Sequence, residues 1–543
     1  MSTVWATDMN SAHRSATWSR RLCFAIVAAY SIFLWGSLIH AKWGMIDDHE
    51  IMWLIGEGYR LAPAKLGAAL ASTELSPDAV LPRFRPSYFG LRATEAMLWG
   101  KDPALWYGFR IFIAILTGVT ISVVCLPFAG SVVTTGFALF ALSSPYWSDI
   151  FARAGPAEAY VALGLCILAL SWCTKKDRTI GLYRAIGISL GICIAAGSKE
   201  NMLFLAAIPL LLLAWWPTRV NRAARVPLVL SLIYMGWITS TIVSRLKRLG
   251  SDIYSNDVSV HSRLDFLLTA LDRPILWLWT LSLASAATAW GVSWLFRRNH
   301  SREAETSDEA RALSCSLQRF IVGGGLALAI YLSQIVFYTA TWPDDHTPGR
   351  YLLPGILCGQ FALLFGVVVI IDGCRLLVRN SRYRQVLFAG LGCLALCGFV
   401  YNSLDQFGRN RKASERALAE TRVFERNLNR LETALSANPA SPLVVNIYDA
   451  GQIESVVSIY RYLRADGIHN SFAVRTNGLD PNSFGNNPLG RELALELQRM
   501  ALGQVTSIRT VAISDVNLQD CYSVGVSGPA LETCRGGFTI WPQ

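Results

Sequence analysis

The chain has 543 residues, of which 52% are apolar and only 16% charged, with 18 Trp, a mean hydropathy of +0.36 and a formal charge of +11. A soluble chain carries about a quarter charged residues, and here the apolar residues fall in runs of roughly 20, the length a helix needs to cross a ~30 Å hydrocarbon core. Soluble multidomain, disordered, collagen-like and coiled-coil classes are excluded, and so is a disulfide-stapled secreted domain, because most of the 12 Cys lie in or beside apolar runs.

The positive charge does not indicate nucleic acid. Basic residues cluster in the short gaps between apolar runs, at Arg14, Arg20 and Arg21; Lys175, Lys176 and Arg178; Arg219, Arg222 and Arg225; Arg297, Arg298 and Arg302; and Arg375, Arg379, Arg382 and Arg384. Such clusters mark the cytoplasmic side of a membrane protein.

A cytoplasmic tail, 1–21, precedes a first apolar run from Arg21 to about His40 that ends without a small-residue cleavage pattern, so it reads as a retained anchor. Further crossings are expected near 105–126, 130–146, 157–173, 182–198, 201–216, 226–243, 273–295, 320–340, 351–371 and 385–402. The predicted fold is an all-α polytopic membrane domain of about eleven transmembrane helices over 22–402, followed at 403–543 by a small extracytoplasmic α/β domain. Alternation from a cytoplasmic N-terminus places every basic cluster inside and the C-terminus outside. It also puts a large first loop, 41–104, on the outer face.

Three acids and a His at Asp47-Asp48-His49-Glu50 stand at the outer end of the first crossing. Adjacent carboxylates repel, which raises one pKa and suits a general base; an Asp at the cap of a helix over 49–59 is the alternative. Arg85-Pro86 opens an amphipathic stretch over 88–99, whose Arg92 reads as a headgroup contact on an interfacial helix. Asp149 and Arg153 are four apart, the spacing of either a site or a helix-end ion pair. Lys199-Glu200 lies between two apolar runs, where charge faces a cavity, a partner or the interface. Asp344-Asp345-His346 leads to Arg350 at the mouth of a crossing, placed to hold a phosphate or to snorkel to headgroups.

The tail changes composition. Ala417, Thr421, Phe424, Leu428, Leu431 and Leu435 recur by threes and fours across Arg409 to Asn438, predicting an amphipathic helix. Strands are expected at 443–448, 471–475, 508–513 and 521–526. Helices are expected through Val456, Val457, Tyr460 and Leu463 and at 490–502. Cys521 and Cys534, apart from the apolar runs, are candidates for a disulfide.

The order of these segments resembles the GT-C superfamily of polytopic glycosyltransferases that use polyprenyl-phosphate sugars, in particular the protein O-mannosyltransferase and lipid A aminoarabinose transferase type. The similarity covers roughly residues 20–245, through Asp47-Asp48, Arg85-Pro86, Asp149 within Ser-Pro-Tyr-Trp-Ser-Asp and Lys199-Glu200, with an echo at Gly349-Arg350-Tyr351. Trp147 and Ser148 stand where relatives often have His or Thr.

The resemblance implies an inverting enzyme of a bacterial inner membrane that moves a sugar from a lipid-linked donor to an envelope glycan, lipid or protein acceptor. Asp47 is then the catalytic base, with Asp48 and Asp149 beside it. Arg85, Arg153, Lys199, Glu200, His346 and Arg350 hold substrate. No cofactor is required, and a divalent metal at Asp48 stays open. The sequence shows no Walker-type loop or dinucleotide fingerprint. A transporter or flippase of lipid-linked glycans and an O-antigen ligase or polymerase are the alternatives.

Overall fold

The computed structural model describes residues 2–249 apart from 78, 80, 81 and 174–178, then 287, 291, 308–338, 349–377, 381–447, 452–475, 521–526, 534 and 536–539. The expected crossing at 273–295, all but its residues 287 and 291, the strand at 508–513, the helix at 490–502 and the Asp344-Asp345-His346 segment lie outside the described residues.

The helices are α1 (Ser2–Trp35), α2 (His49–Ile55), α3 (Leu66–Ala71), α4 (Pro86–Trp99), α5 (Pro103–Leu142), α6 (Tyr146–Phe151), α7 (Glu158–Cys173), α8 (Leu182–Ala196), α9 (Ala207–Ala214), α10 (Arg222–Leu249), α11 (Asp308–Gln318), α12 (Gly325–Tyr338), α13 (Gly355–Leu377), α14 (Ser381–Ala437) and α15 (Ile453–Ala465). Among the described residues five helical stretches are long and apolar enough to cross a membrane: Thr17–His40, Pro103–Leu142, Arg222–Arg248, Leu313–Tyr331 and Gly355–Gly373. Glu158–Cys173, Leu182–Ala196 and Glu200–Ala214 are shorter apolar helices. The chain is a multi-pass membrane protein.

One expectation about helix breaks agrees with the structure and one is corrected. The segments expected at 105–126 and 130–146 are two helical arms of the 40-residue α5 that meet at Gly130, where φ of 73° and ψ of 167° leave the helical region three residues after Pro127. At 1.5 Å per residue that length is about twice the hydrocarbon core. The segments expected as a crossing at 385–402 and as a separate amphipathic helix at 409–438 are instead one helix, the 57-residue α14. It contains no proline, so nothing stops it before Asn438-Pro439.

Two apolar cores organise the helices. Val27 of α1, Ile121 and Phe137 of α5, Leu364 of α13 and Phe399 of α14 form one. Val161 of α7, Ile188 and Ile192 of α8 and Leu228 of α10 form the other. Helices α7 and α8 meet closely because Gly164 and Gly191 face each other; a Cβ on either would come within 2.6 Å of the other's carbonyl oxygen.

Above them lies a four-stranded parallel sheet in the order β2-β1-β3-β4, with β1 Leu443–Asn446, β2 Phe472–Arg475, β3 Tyr522–Gly525 and β4 Gly536–Thr539. The last strand has no counterpart in the sequence reading. Alternate residues serve opposite faces. Leu443, Val445, Phe472 and Val524 pack with Val456, Ile459 and Leu463 of α15 and Phe424, Leu428, Leu431 and Leu435 of α14, the predicted stripe. Val444, Ala473 and Cys521 face the other way. The sheet face that carries Leu443 and Val445 shares its core with Trp35, Trp43, Met45, Ile51 and Trp106, so the sheet domain is packed onto the first loop.

Cys521 and Cys534 form a disulfide, with Cα atoms 5.0 Å apart. Closing a loop of 13 residues contributes about 3 kcal/mol in the chain-entropy model. Replacing both by Ser is expected to lower the melting temperature of the sheet domain by several degrees. An unchanged melting curve, or two free thiols by mass mapping without reductant, contradicts this.

Candidate active site

The segment Gly44 to Asp48 links the end of the first membrane helix to α2, and its two carboxylates point in different directions. Asp47 has φ of 68°, the left-handed region that few non-glycine residues occupy. Such backbone strain concentrates at functional positions. The turn sends the Asp47 side chain outward and its neighbour inward.

Asp48 is fully buried. It stands at the N-cap place of α2 yet its side chain makes no cap hydrogen bond, which removes the capping alternative. Its Oδ2 instead accepts from the Gly44 amide at 2.8 Å and the Tyr107 hydroxyl at 3.2 Å. Its Oδ1 accepts from the amides of Ala154 at 3.1 Å and Gly155 at 3.0 Å. Burial pushes this carboxyl up to about 6, against the Gly44 amide, and with the charge of Asp47 adding to the rise. Asp48 therefore clamps two loops together. Gly155 must be glycine at this junction, because a Cβ would lie 2.2 Å from that of Asp47.

Asp47 remains accessible, its side chain 23% exposed, and its Oδ2 meets Nη1 of Arg350 at 3.0 Å and Nη1 of Arg153 at 3.2 Å. Burial alone would raise its pKa, but the two guanidinium groups outweigh it and hold the carboxylate well below its usual range. Arg350 is 15% exposed and Arg153 46%. Asp149, on α6, feels both arginines and is held by the backbone amide of Arg350; burial is the larger influence and raises its pKa. The structure thus gathers Asp47, Asp149, Arg153 and Arg350 from three separate stretches of chain.

Lys199 lies one layer away. It forms a buried ion pair with Glu158 at the start of α7, and its ammonium sits 4.4 Å from the centre of the Tyr351 ring, against which Arg350 also lies at 5.3 Å. Arg85 is not at Asp47. It forms a two-pronged ion pair with Glu74, its Nε 2.7 Å from Oε2, and stacks over Tyr88 at 4.8 Å. Tyr88 intervenes, its hydroxyl within hydrogen-bond distance of Glu50 at 2.9 Å and of the Gly155 carbonyl at 3.1 Å. Glu200 is near enough to Arg85 to act on its charge. His346 lies outside the described residues.

Arg92 corrects the sequence reading. Rather than reaching lipid headgroups it is buried, donates to the Gly155 carbonyl and lies 4.6 Å over the Tyr88 ring. The face of α4 that carries it is turned toward the 153–157 loop, where Glu95, Arg110 and Tyr160 form a second buried network. His49 is also buried, and burial, followed by the charge of Arg461, lowers its pKa to about 3, so it stays neutral. Among the described residues no group of three or more His, Cys, Asp or Glu side chains is arranged to hold a metal ion.

No protein-family model and no curated protein matches the chain. Among solved structures it is similar to the crystal structure of ArnT from Cupriavidus metallidurans bound to undecaprenyl phosphate, with 11% identity, a TM-score of 0.44 and 88% of each chain covered. At that score and identity no residue role or substrate passes from one chain to the other.

One group that sequence reasoning missed joins the site from the opposite end of the chain. Glu454, in the first turn of α15, senses the charges of Asp47, Glu50, Arg350 and Arg153. Its only signal in the sequence is an acid opening a helix, the commonest place for one.

Proposed function

We propose that the chain is an inverting membrane glycosyltransferase of the GT-C kind, moving a sugar from a polyprenyl-phosphate-linked donor to a hydroxyl of a glycan, lipid or protein acceptor outside the membrane. The observation that carries this reading is the Asp47 carboxylate clasped by two arginines, Arg153 and Arg350, at the end of an apolar helix bundle. The order of acidic and basic segments shared with that superfamily supports it.

A carboxylate held by two guanidinium groups can be displaced by a phosphate, which offers the same planar pairing and more acceptor oxygens. On donor binding the lipid phosphate takes over Arg350 and Arg153, and Asp47 regains its basicity. The acceptor oxygen then attacks the anomeric carbon while Asp47 takes the hydroxyl proton. The bond to the phosphate oxygen breaks, its electron pair stays on the phosphate, and the arginines stabilise the added charge. The products are glycosylated acceptor, polyprenyl phosphate and a proton on Asp47. Lys199, Glu158 and Tyr351 keep Arg350 in place, and Asp149 holds its backbone.

The test uses purified protein in liposomes with radiolabelled polyprenyl-phosphate sugars extracted from host membranes, and mass spectrometry of the product lipids. Release of polyprenyl phosphate with label in an acceptor is the expected result. Arg350→Ala removes one phosphate partner and leaves the base, so donor affinity should fall by about 2 kcal/mol, roughly thirtyfold, more than turnover does. Movement of intact donor across the bilayer without bond cleavage would show transport instead.

A further inference from the structure

One face of α15 is laid along the segment that carries the two aspartates. Ser458 donates to the Met45 carbonyl, Tyr462 donates to the Gly44 carbonyl at 2.7 Å, and Arg461 lies over the Trp53 ring at 5.6 Å. Residues four apart share a helix face, so Glu454, one turn before Ser458, continues this line towards Asp47. It is half-buried. The charged groups acting on it are Asp47 and Glu50 from the loop and α2, Arg153 from the stretch after α6, and Arg350 from the turn before α13.

We infer that Glu454, delivered by the C-terminal domain, is the second carboxyl of the site: it receives the acceptor proton from Asp47 by way of a water molecule and passes it to solvent. This rests on the transferase reading above. After the transfer Asp47 carries a proton beside two arginines that favour its anion, so the proton must leave before the next turnover. Glu454 is the neighbouring carboxyl that holds a proton more readily. Burial, then the negative charges of Asp47 and Glu50, push it up to about 7, with Arg350 and Arg153 opposing. The step balances: one O–H bond breaks on Asp47 as one forms on the intervening water, one of that water's O–H bonds breaks as one forms on Glu454, and Glu454 then releases its proton to solvent. The sheet domain is on this view a working part of the site, held there by Ser458 and Tyr462.

Rates in the same liposome assay are measured from pH 5 to 9. Glu454 must be ionised to receive the proton, so wild-type turnover should rise with pH through about 7, as a property of the coupled carboxyls. Glu454→Gln should lower kcat about tenfold or more, leave donor KM unchanged and abolish that acidic limb; Glu454→Asp should keep a limb with a shifted midpoint. A folding change is controlled by the melting curve, and if the Gln variant does not fold, the Asp variant decides by its midpoint. Wild-type kcat with an intact limb in Glu454→Gln, or an unshifted midpoint in Glu454→Asp, overturns the inference. Wild-type transfer by Asp47→Asn would remove the assignment of Asp47 on which it rests, a separate outcome.

Discussion

Asp47→Asn is expected to be produced in normal amount and to lose transfer by about a hundred- to ten-thousand-fold, the usual worth of a general base. Asn tolerates the left-handed backbone that this position requires, with φ of 68°, so the turn survives and only basicity is removed. Donor binding should be retained or tightened, because the carboxylate no longer competes with phosphate for Arg153 and Arg350. Since the arginines lower the pKa of Asp47, its favourable contribution to stability is present above the ordinary carboxylate range, about pH 4, and is lost only as pH falls below that through the depressed value. Asp47 itself therefore adds no pH dependence between pH 5 and 9, and the variant should lose less stability than wild type as pH rises through 6 to 7, because buried Asp48 and Glu454 no longer feel the neighbouring charge that adds to their raised values. Undiminished turnover in Asp47→Asn would refute the role assigned to it.

Asp48→Ala is expected to fail in the opposite manner, by unfolding the outer loops. It strands the buried amides of Gly44, Ala154 and Gly155, and a buried donor left without an acceptor costs about 1–3 kcal/mol. Asn is not a cure: whichever way its amide turns, its NH2 meets at least one backbone N–H, so Asp48→Asn should still cost about 1–3 kcal/mol. The pH dependence has a definite sign. Burial raises the carboxyl to about 6 in the folded state, so wild-type stability from this group declines as pH rises from about 4 through 6 and is flat above. Melting temperatures of the variants at pH 7 separate the readings: Asp47→Asn falls below wild type by the lost pairing with Arg153 and Arg350, and Asp48→Ala, which strands buried amides, falls furthest. Equal melting temperatures for Asp48→Ala and wild type would dismiss the clamp.

The contrast between these neighbours shows where sequence stops being informative. Hydropathy and periodicity are local properties, and they suffice for the multi-pass membrane character, the stripe from Ala417 to Leu435 that packs under the sheet, and the pairing of two cysteines that no apolar run explains. They also place Asp47, Asp149 and Arg350 on one side, since each follows from its position at a helix end. The division of labour between Asp47 and Asp48 depends on one dihedral angle, which in turn depends on Gly155 leaving room for the turn. Amphipathicity put Arg92 at the lipid surface, yet its face of α4 meets the Gly155 carbonyl, and Arg85 found Glu74. Ion pairs between distant segments have no period to read. Glu454 is the extreme case, because only the packing of α15 on the first loop brings it more than 400 residues along the chain to Asp47. Local patterning determined which segments are helices and which ends carry charge, and long-range packing decided which charges meet.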